Sequence, residues 1–400
     1  MRRKVLPWII LIFLLVAACG EVPTALPPPG QSPPPTLEAT ATVVPPSPPQ
    51  GYPPLTPCPT PPAASPAPTP ADSGRIRVVG EVQLTREGWS GSPVWSPDGS
   101  KIAFIKAIRV STVPKETWKG ELWVMNADGT SQTRIAENVH APPDPSWSPD
   151  GQRLVYIINK DDVNEVAVTD LRRGEQNVVA TGDDQGAAWL TGERIAFVRD
   201  GRLVLKDLDT GTEEVREELE FTGNWRETAF IASPDGTKLA YIDKRGRLWV
   251  VDQETMAMVR VSSDQDWVRP YEPYSMAWSL DSRFLAYVSG VSKLWVVDAM
   301  IGAYNLLLEE HAHFNCPTWS PDGRVIAFNH TYTGSNMAPY EEIYLVNRDG
   351  SGLRRLTENE EMEHCPAWSP DGSSFVFVRP PSYTAQELEK YLWKLLLQYD

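Results

Sequence analysis

Cysteine and histidine are scarce in this 400-residue chain, at 4 and 5 copies. Four cysteines cannot form the framework of a disulfide-held fold of this size, so packing must hold the core. Positive charge is also short: 37 Lys and Arg stand against 52 Asp and Glu, a net charge of -15, and no stretch of the folded region gathers a basic patch. Phosphate backbones and anionic lipid headgroups repel such a surface, which argues against nucleic-acid binding. Long apolar runs are missing except for 5–18, which is interrupted by Pro7. That run falls short of the roughly 20 residues a spanning helix needs. No Gly-x-Ser-x-Gly elbow, P-loop, dinucleotide glycine fingerprint or His-Glu-x-x-His occurs. Proline, by contrast, is abundant: 38 residues, 20 of them between positions 21 and 70.

The N-terminus reads as an address. Arg2, Arg3 and Lys4 precede the apolar run, and Val16-Ala17-Ala18-Cys19 follows it. This resembles a bacterial lipobox, which implies a signal peptide over 1–18 and lipidation of Cys19. Dual acylation would anchor the chain without a membrane-spanning helix. Residues 19–74 are Pro, Thr, Ala and Ser with almost no charge, too little apolar surface to repay ordering. They are expected to form a polyproline-biased stalk, reaching at most about 150 Å at ~3.1 Å per residue.

The remainder is repetitive. Pro93-Val94-Trp95-Ser96-Pro97-Asp98-Gly99 recurs as Pro145 to Gly151, Pro317 to Gly323 and Pro366 to Gly372, with degenerate copies at Trp189, Ser233 and Trp278. The spacing of about 40 to 50 residues is a propeller-blade period. In Ser-Pro-Asp-Gly, proline presets the first central dihedral, serine bonds back to the backbone, and glycine frees the last position of a type I turn. A short strand follows each copy, such as Ile102-Ala103-Phe104 or Leu285-Ala286-Tyr287. Third and fourth strands, such as Leu122-Trp123-Val124 and 353–356, complete four per repeat.

The Pro-x-Trp-Ser-Pro-Asp-Gly-x-x-Ile-Ala-Phe hairpin resembles the repeat of TolB-type and related WD-like β-propellers. The expected fold is therefore all-β, a propeller of four-stranded blades over 75–380. Seven copies argue for seven blades, with six and a divergent copy as the alternative. The last copy stops at Val378 before Pro380-Pro381, while 75–79 and 81–85 have the pattern of its two missing strands. The termini should thus share a blade and close the ring, leaving no open edge. In 381–400, Leu388, Leu392, Leu395 and Leu396 recur with helical period, so a short C-terminal helix is expected.

The repeat turns should occupy one face and the irregular loops the other, where function usually resides. That second face carries Trp89, Trp118, Trp225, Trp267, Tyr271, Tyr274, Phe314, Tyr332 and Tyr340, with Arg226 and Arg269 among them. Trp, Tyr and Arg anchor interfaces, and flat rings suit sugars; the competing reading is that several simply plug the channel or pack over blade ends. Cys316 and Cys365 occupy equivalent positions in neighbouring repeats, beside His311, His313 and His364. They could remain packed thiols, form a cross-blade disulfide, or join the histidines at a metal. The acidic loops at Asp161 and Asp183 lack an EF-hand register and read as solvated, so no metal or cofactor is expected.

Only about 20 residues follow the last copy, so no hydrolase domain is expected after it. The reading is a monomeric, extracytoplasmic, lipid-anchored module that binds a cell-envelope protein or glycan. The alternative is a propeller enzyme, a lyase or glycosidase, with carboxylates in its channel.

Overall fold

The computed structural model describes residues 72–111, 117–140, 144–161, 163–182, 185–220, 230–262, 268, 275–290, 292–310, 312–333, 339–358, 362–380 and 390–400. The expected lipobox and residues 19–71 of the expected stalk therefore lie outside the described residues.

Those residues fold as antiparallel β-structure, with one 3-10 turn at Ser73–Arg75. Five sheets have four strands, and a sixth has eight. The eight-stranded sheet is two four-stranded sets, Trp89–Trp95 to Thr133–Val139 and Ser146–Trp147 to Glu175–Gly182, joined by the single pair Val139 and Ile158. We number these sets 1 and 2. Sets 3 to 6 begin at Gln185–Trp189, Phe230–Ala232, Met276–Trp278 and His313–Trp319. Set 7 runs His364–Trp368, Ser374–Arg379, Tyr391–Tyr399 and then Ile76–Gln83, so both ends of the described chain meet in one sheet.

The core is not one mass but a series of apolar layers between successive sets. Set 1 meets set 2 through Ile105, Leu122, Trp147 and Tyr156. Set 7 meets set 1 through Val376, Val378 and Leu392 against Ile102, Phe104 and Met125. Alternation supplies these layers, since each central strand is apolar on both faces, as in Arg194–Arg199 with Ile195 to Val198 all buried.

Ser-Pro-Asp-Gly closes the turns as the residue types require. At Ser96, Ser148, Ser233, Ser279, Ser320 and Ser369 the hydroxyl donates to the Asp two residues on at 2.5–2.6 Å. The same oxygen accepts the N–H five residues on at 2.8–3.0 Å. At Asp98 the Ser96 hydroxyl, with the Ser100 N–H, holds the carboxyl below its ordinary range.

Two expectations about the ends fail. Residues 391–399 form a strand between Ser374–Arg379 and Ile76–Gln83, not a helix. The leucine spacing is overridden by a sheet that lacks its outer strands, and Leu392, Leu395 and Leu397 enter the core. The N-terminal side supplies one strand, not two. Gly80 marks a register shift within it, where a Cβ would lie 3.3 Å from a methyl of Leu396. After Lys106, Asn159 and Asn329 the second and third strands continue as extended hairpins, such as Val325–Thr333 with Pro339–Asn347.

Candidate functional site

The first strand of each set runs from the irregular-loop end toward its repeat turn, and residues of these strands wall two shared recesses, one at each end. Indole N–H groups stitch the strands together. Trp147 donates to the Val94 carbonyl at 3.1 Å, Trp278 to Ile231 at 3.4 Å, and Trp319 to Ala277 at 3.0 Å. Trp95 donates to Ala367 of set 7 at 3.0 Å. Backbone N–H groups of Trp189 and Trp368 reach Ser146 and Thr318 of the preceding sets. The turn of set 4 presses so close to set 3 that a Cβ on Gly236 would fall 2.2 Å from the Thr191 nitrogen.

Several of these strands carry a bulge. Register shifts follow Gly91, Gln185, Asn315 and His364, and Ser92, Gly186, Cys316 and Cys365 there have φ of 52°, 66°, 49° and 49°. The matching bulges of sets 6 and 7 turn both cysteines toward one another. They are paired as a disulfide, with Cα atoms 4.8 Å apart. Asn329 ties this region together: its amide donates to the Glu363 carbonyl, and its oxygen accepts the Cys365 N–H at 2.6 Å.

Behind the disulfide, sets 6 and 7 share a buried charged seam. Glu363 is fully buried and pairs with Arg379 at 2.6 Å, and Arg379 also binds Glu81. Burial works against the Arg379 charge, yet the bonds to Glu81 and Glu363 leave its pKa above the usual arginine value. Glu342, also fully buried, accepts from Thr357 at 2.6 Å and from Arg355. Burial pushes the Glu342 carboxyl up to about 7, and the charge of Glu363 adds to the rise.

The recess at the loop end has a volume of about 480 Å³. Trp89, Asp144, His364 and Lys390 line it together with Val94, Ile231, Met276, Pro317, Pro366 and Val378. His364 Nδ1 lies 2.5 Å from Glu341. Lys390 sits 6.0 Å from the centre of the Trp89 ring, and burial lowers its pKa. The indole of Trp89 folds over Gly91, where a Cβ would be 2.9 Å from it. The turn end holds a second recess of about 470 Å³, walled by Trp95, Trp147, Trp189 and Phe230.

Of the residues proposed from sequence, Trp89 lies at this loop-end recess. Phe314 is a correction: it is 3% exposed and packs edge-on against Phe328, so it serves the core. Tyr332 and Tyr340 pair across one hairpin. Trp225, Trp267, Arg269, Tyr271, Tyr274 and Cys19 lie outside the described residues. Among the described residues, no group of three or more His, Cys, Asp or Glu is arranged to hold a metal. Sequence reasoning missed Lys390 and the Glu342–Glu363–Arg379 seam. Paired acids at Glu341-Glu342 inside a strand pattern were the available signal.

A family profile described as the TolB beta propeller domain matches residues 71–269 and 269–386. The chain belongs to that family. Among relatives of this TolB-type propeller, the Bacillus subtilis (strain 168) protein named "Uncharacterized peptidase YuxL" is 26% identical over 161 residues, covering 38% of this chain and 21% of that protein. The Tol-Pal system protein TolB of Actinobacillus pleuropneumoniae serotype 5b (strain L20) is 35% identical over 81 residues, covering 20% and 17%. The chain thus spans about a fifth of the length of the curated relatives it matches. Among solved structures, oligogalacturonate lyase from Vibrio parahaemolyticus superposes with a TM-score of 0.57 at 13% identity, over 79% of this chain and 93% of that one. An oligogalacturonate lyase in complex with manganese gives 0.54 at 16% identity, over 80% and 95%. At such identities the likeness is one of fold.

Proposed function

We propose that the protein is a lipid-anchored binding module held outside the cell by Cys19, a monomeric seven-bladed propeller whose loop end grips a cell-envelope protein or glycan. The seven apolar layers and the Trp95 to Ala367 hydrogen bond support a ring of seven blades closed within the shared terminal blade. The observation that carries the binding reading is the loop-end recess, where an indole, an ammonium and a carboxylate-held imidazole converge on an opening of binding-site size. The TolB relative is named for the Tol-Pal system, which fits a protein partner.

The test uses tagged full-length protein and isolated envelope fractions, separated into protein extract and purified glycan. Trp89→Ala and the pair Trp267→Ala with Tyr271→Ala should each weaken capture about tenfold, a hot-spot loss. Capture of every ligand unchanged in these variants would defeat the reading. Incorporation of labelled palmitate, abolished by Cys19→Ala, tests the anchor.

A second reading is favoured by one observation, the His364–Glu341 pair facing the recess, since an imidazole oriented by a carboxylate is a general-base arrangement. Incubation with oligogalacturonate, followed by ultraviolet absorbance of an unsaturated product, tests it. Product lost in His364→Ala would favour an enzyme; no product would exclude this lyase activity.

A further inference from the structure

The loop-end recess contains one cation that makes no ion pair among the described residues. Lys390 enters the sheet just before Tyr391–Tyr399, its carbonyl accepting the Ser90 N–H at 2.8 Å. That bond fixes its backbone against the first strand of set 1. Its ammonium has no carboxylate within ion-pair range among the described residues, and its recorded partner is the Trp89 ring. Glu341 acts on it only through space, and its Oε2 lies 2.5 Å from His364 Nδ1. Asp144, the other acid of the recess, already has a partner of its own. Much of the surrounding wall is apolar, formed by Val94, Ile231, Met276, Pro317, Pro366 and Val378, with Ser92, Asp144, Thr318 and His364 as its polar members.

An apolar cavity of this size with one or two fixed polar groups is the usual form of a small-ligand site. A half-buried ammonium without a counter-ion is costly, and an incoming anion removes that cost. A neutral sugar would leave the ammonium unpaired and set many of its hydroxyls against proline, valine and methionine. A ligand with a negative group and an apolar body satisfies both features at once.

We propose that the loop-end recess is a seat for a ligand bearing a single carboxylate on an apolar body, with Lys390 as the partner of the carboxylate. The ligand can be a free organic acid or the C-terminal residue of a peptide, which share this chemistry. The proposal rests on the binding-module reading and gives that module's recess its ligand class. Binding is favoured at neutral pH and weakens in alkali, because a carboxylate bound to Lys390 holds the proton that burial tends to remove.

The probes are 3-phenylpropionate and its amide, and N-acetyl-Ala-Phe with a free or an amidated C-terminus, titrated calorimetrically into full-length protein. At least one acid should bind, and its amide at least about tenfold more weakly, the loss expected for a charge-assisted hydrogen bond. The member that binds, free acid or peptide, identifies the source. Lys390→Met should lose a similar factor and Lys390→Arg should recover most of it, with thermal melts confirming that both fold. Equal affinity for acid and amide, unchanged binding in Lys390→Met, or binding of neither acid overturns the proposal. Envelope capture is scored separately. If Lys390→Met loses the acid but keeps capture, the carboxylate seat stands and the envelope ligand lies elsewhere. If acid and amide bind alike while capture depends on Trp89, the seat falls and the module reading survives.

Discussion

Glu342 converts the seam between sets 6 and 7 into a measurable pH dependence. Its side chain is fully buried and titrates at about 7, against an ordinary 4.5, chiefly because burial penalises the carboxylate. A carboxyl that holds its proton more tightly folded than unfolded stabilises the fold below its unfolded pKa. That stability is lost as pH climbs through the folded value. Across this window the loss is roughly 3 kcal/mol, a sizeable part of an ordinary domain's net stability. Glu342→Gln keeps an acceptor for Thr357 and has no charge to bury, while Arg355 retains its bond to the Thr357 carbonyl at 2.5 Å. Urea denaturation at about pH 5 and about pH 8 should show the wild type losing roughly 3 kcal/mol relative to the variant between the two conditions. Parallel pH profiles for the two proteins, or a constant offset at every pH, would refute the assignment of the shift to this buried carboxyl.

The Cys316–Cys365 bridge joins residues 49 apart. The double serine variant should be less stable by about 4 kcal/mol on the chain-entropy account, and the wild type in reductant should melt with it. Trp95→Phe should cost about 1 kcal/mol by removing the bond to Ala367 between sets 1 and 7. Chemical denaturation measures this loss, and an unaltered midpoint would show that the indole N–H contributes nothing to joining the two ends.

The repeat hairpins were readable because their chemistry is local. Proline, serine, aspartate and glycine fix a turn within four residues, and the alternation beside it fixes a strand. The final sheet was not readable in the same way. Leu392 and Leu395 fit a helix as well as a strand face, and the choice was made by an unfilled edge distant in sequence. Gly80 read as a break between strands because a bulge and a turn both select glycine. The recess wall followed from the repeat register, which placed Cys316 and Cys365 together and Trp89 at the loop end. Lys390 did not, since the segment holding it had been assigned to a helix. The Glu363–Arg379 pair was hidden because a buried charge becomes intelligible only when its counter-charge, 16 residues away in sequence, is known to lie beside it.

Because Ile76 pairs with Tyr399, the earliest strand of the domain has to wait for the latest before it is paired. Assembly is therefore a whole-chain event with high contact order, slow by comparison with folds built from neighbours. The same arrangement makes damage non-local. Cutting either end of the domain removes a strand from one sheet and also exposes the apolar layer between sets 7 and 1, turning a small deletion into an aggregation hazard.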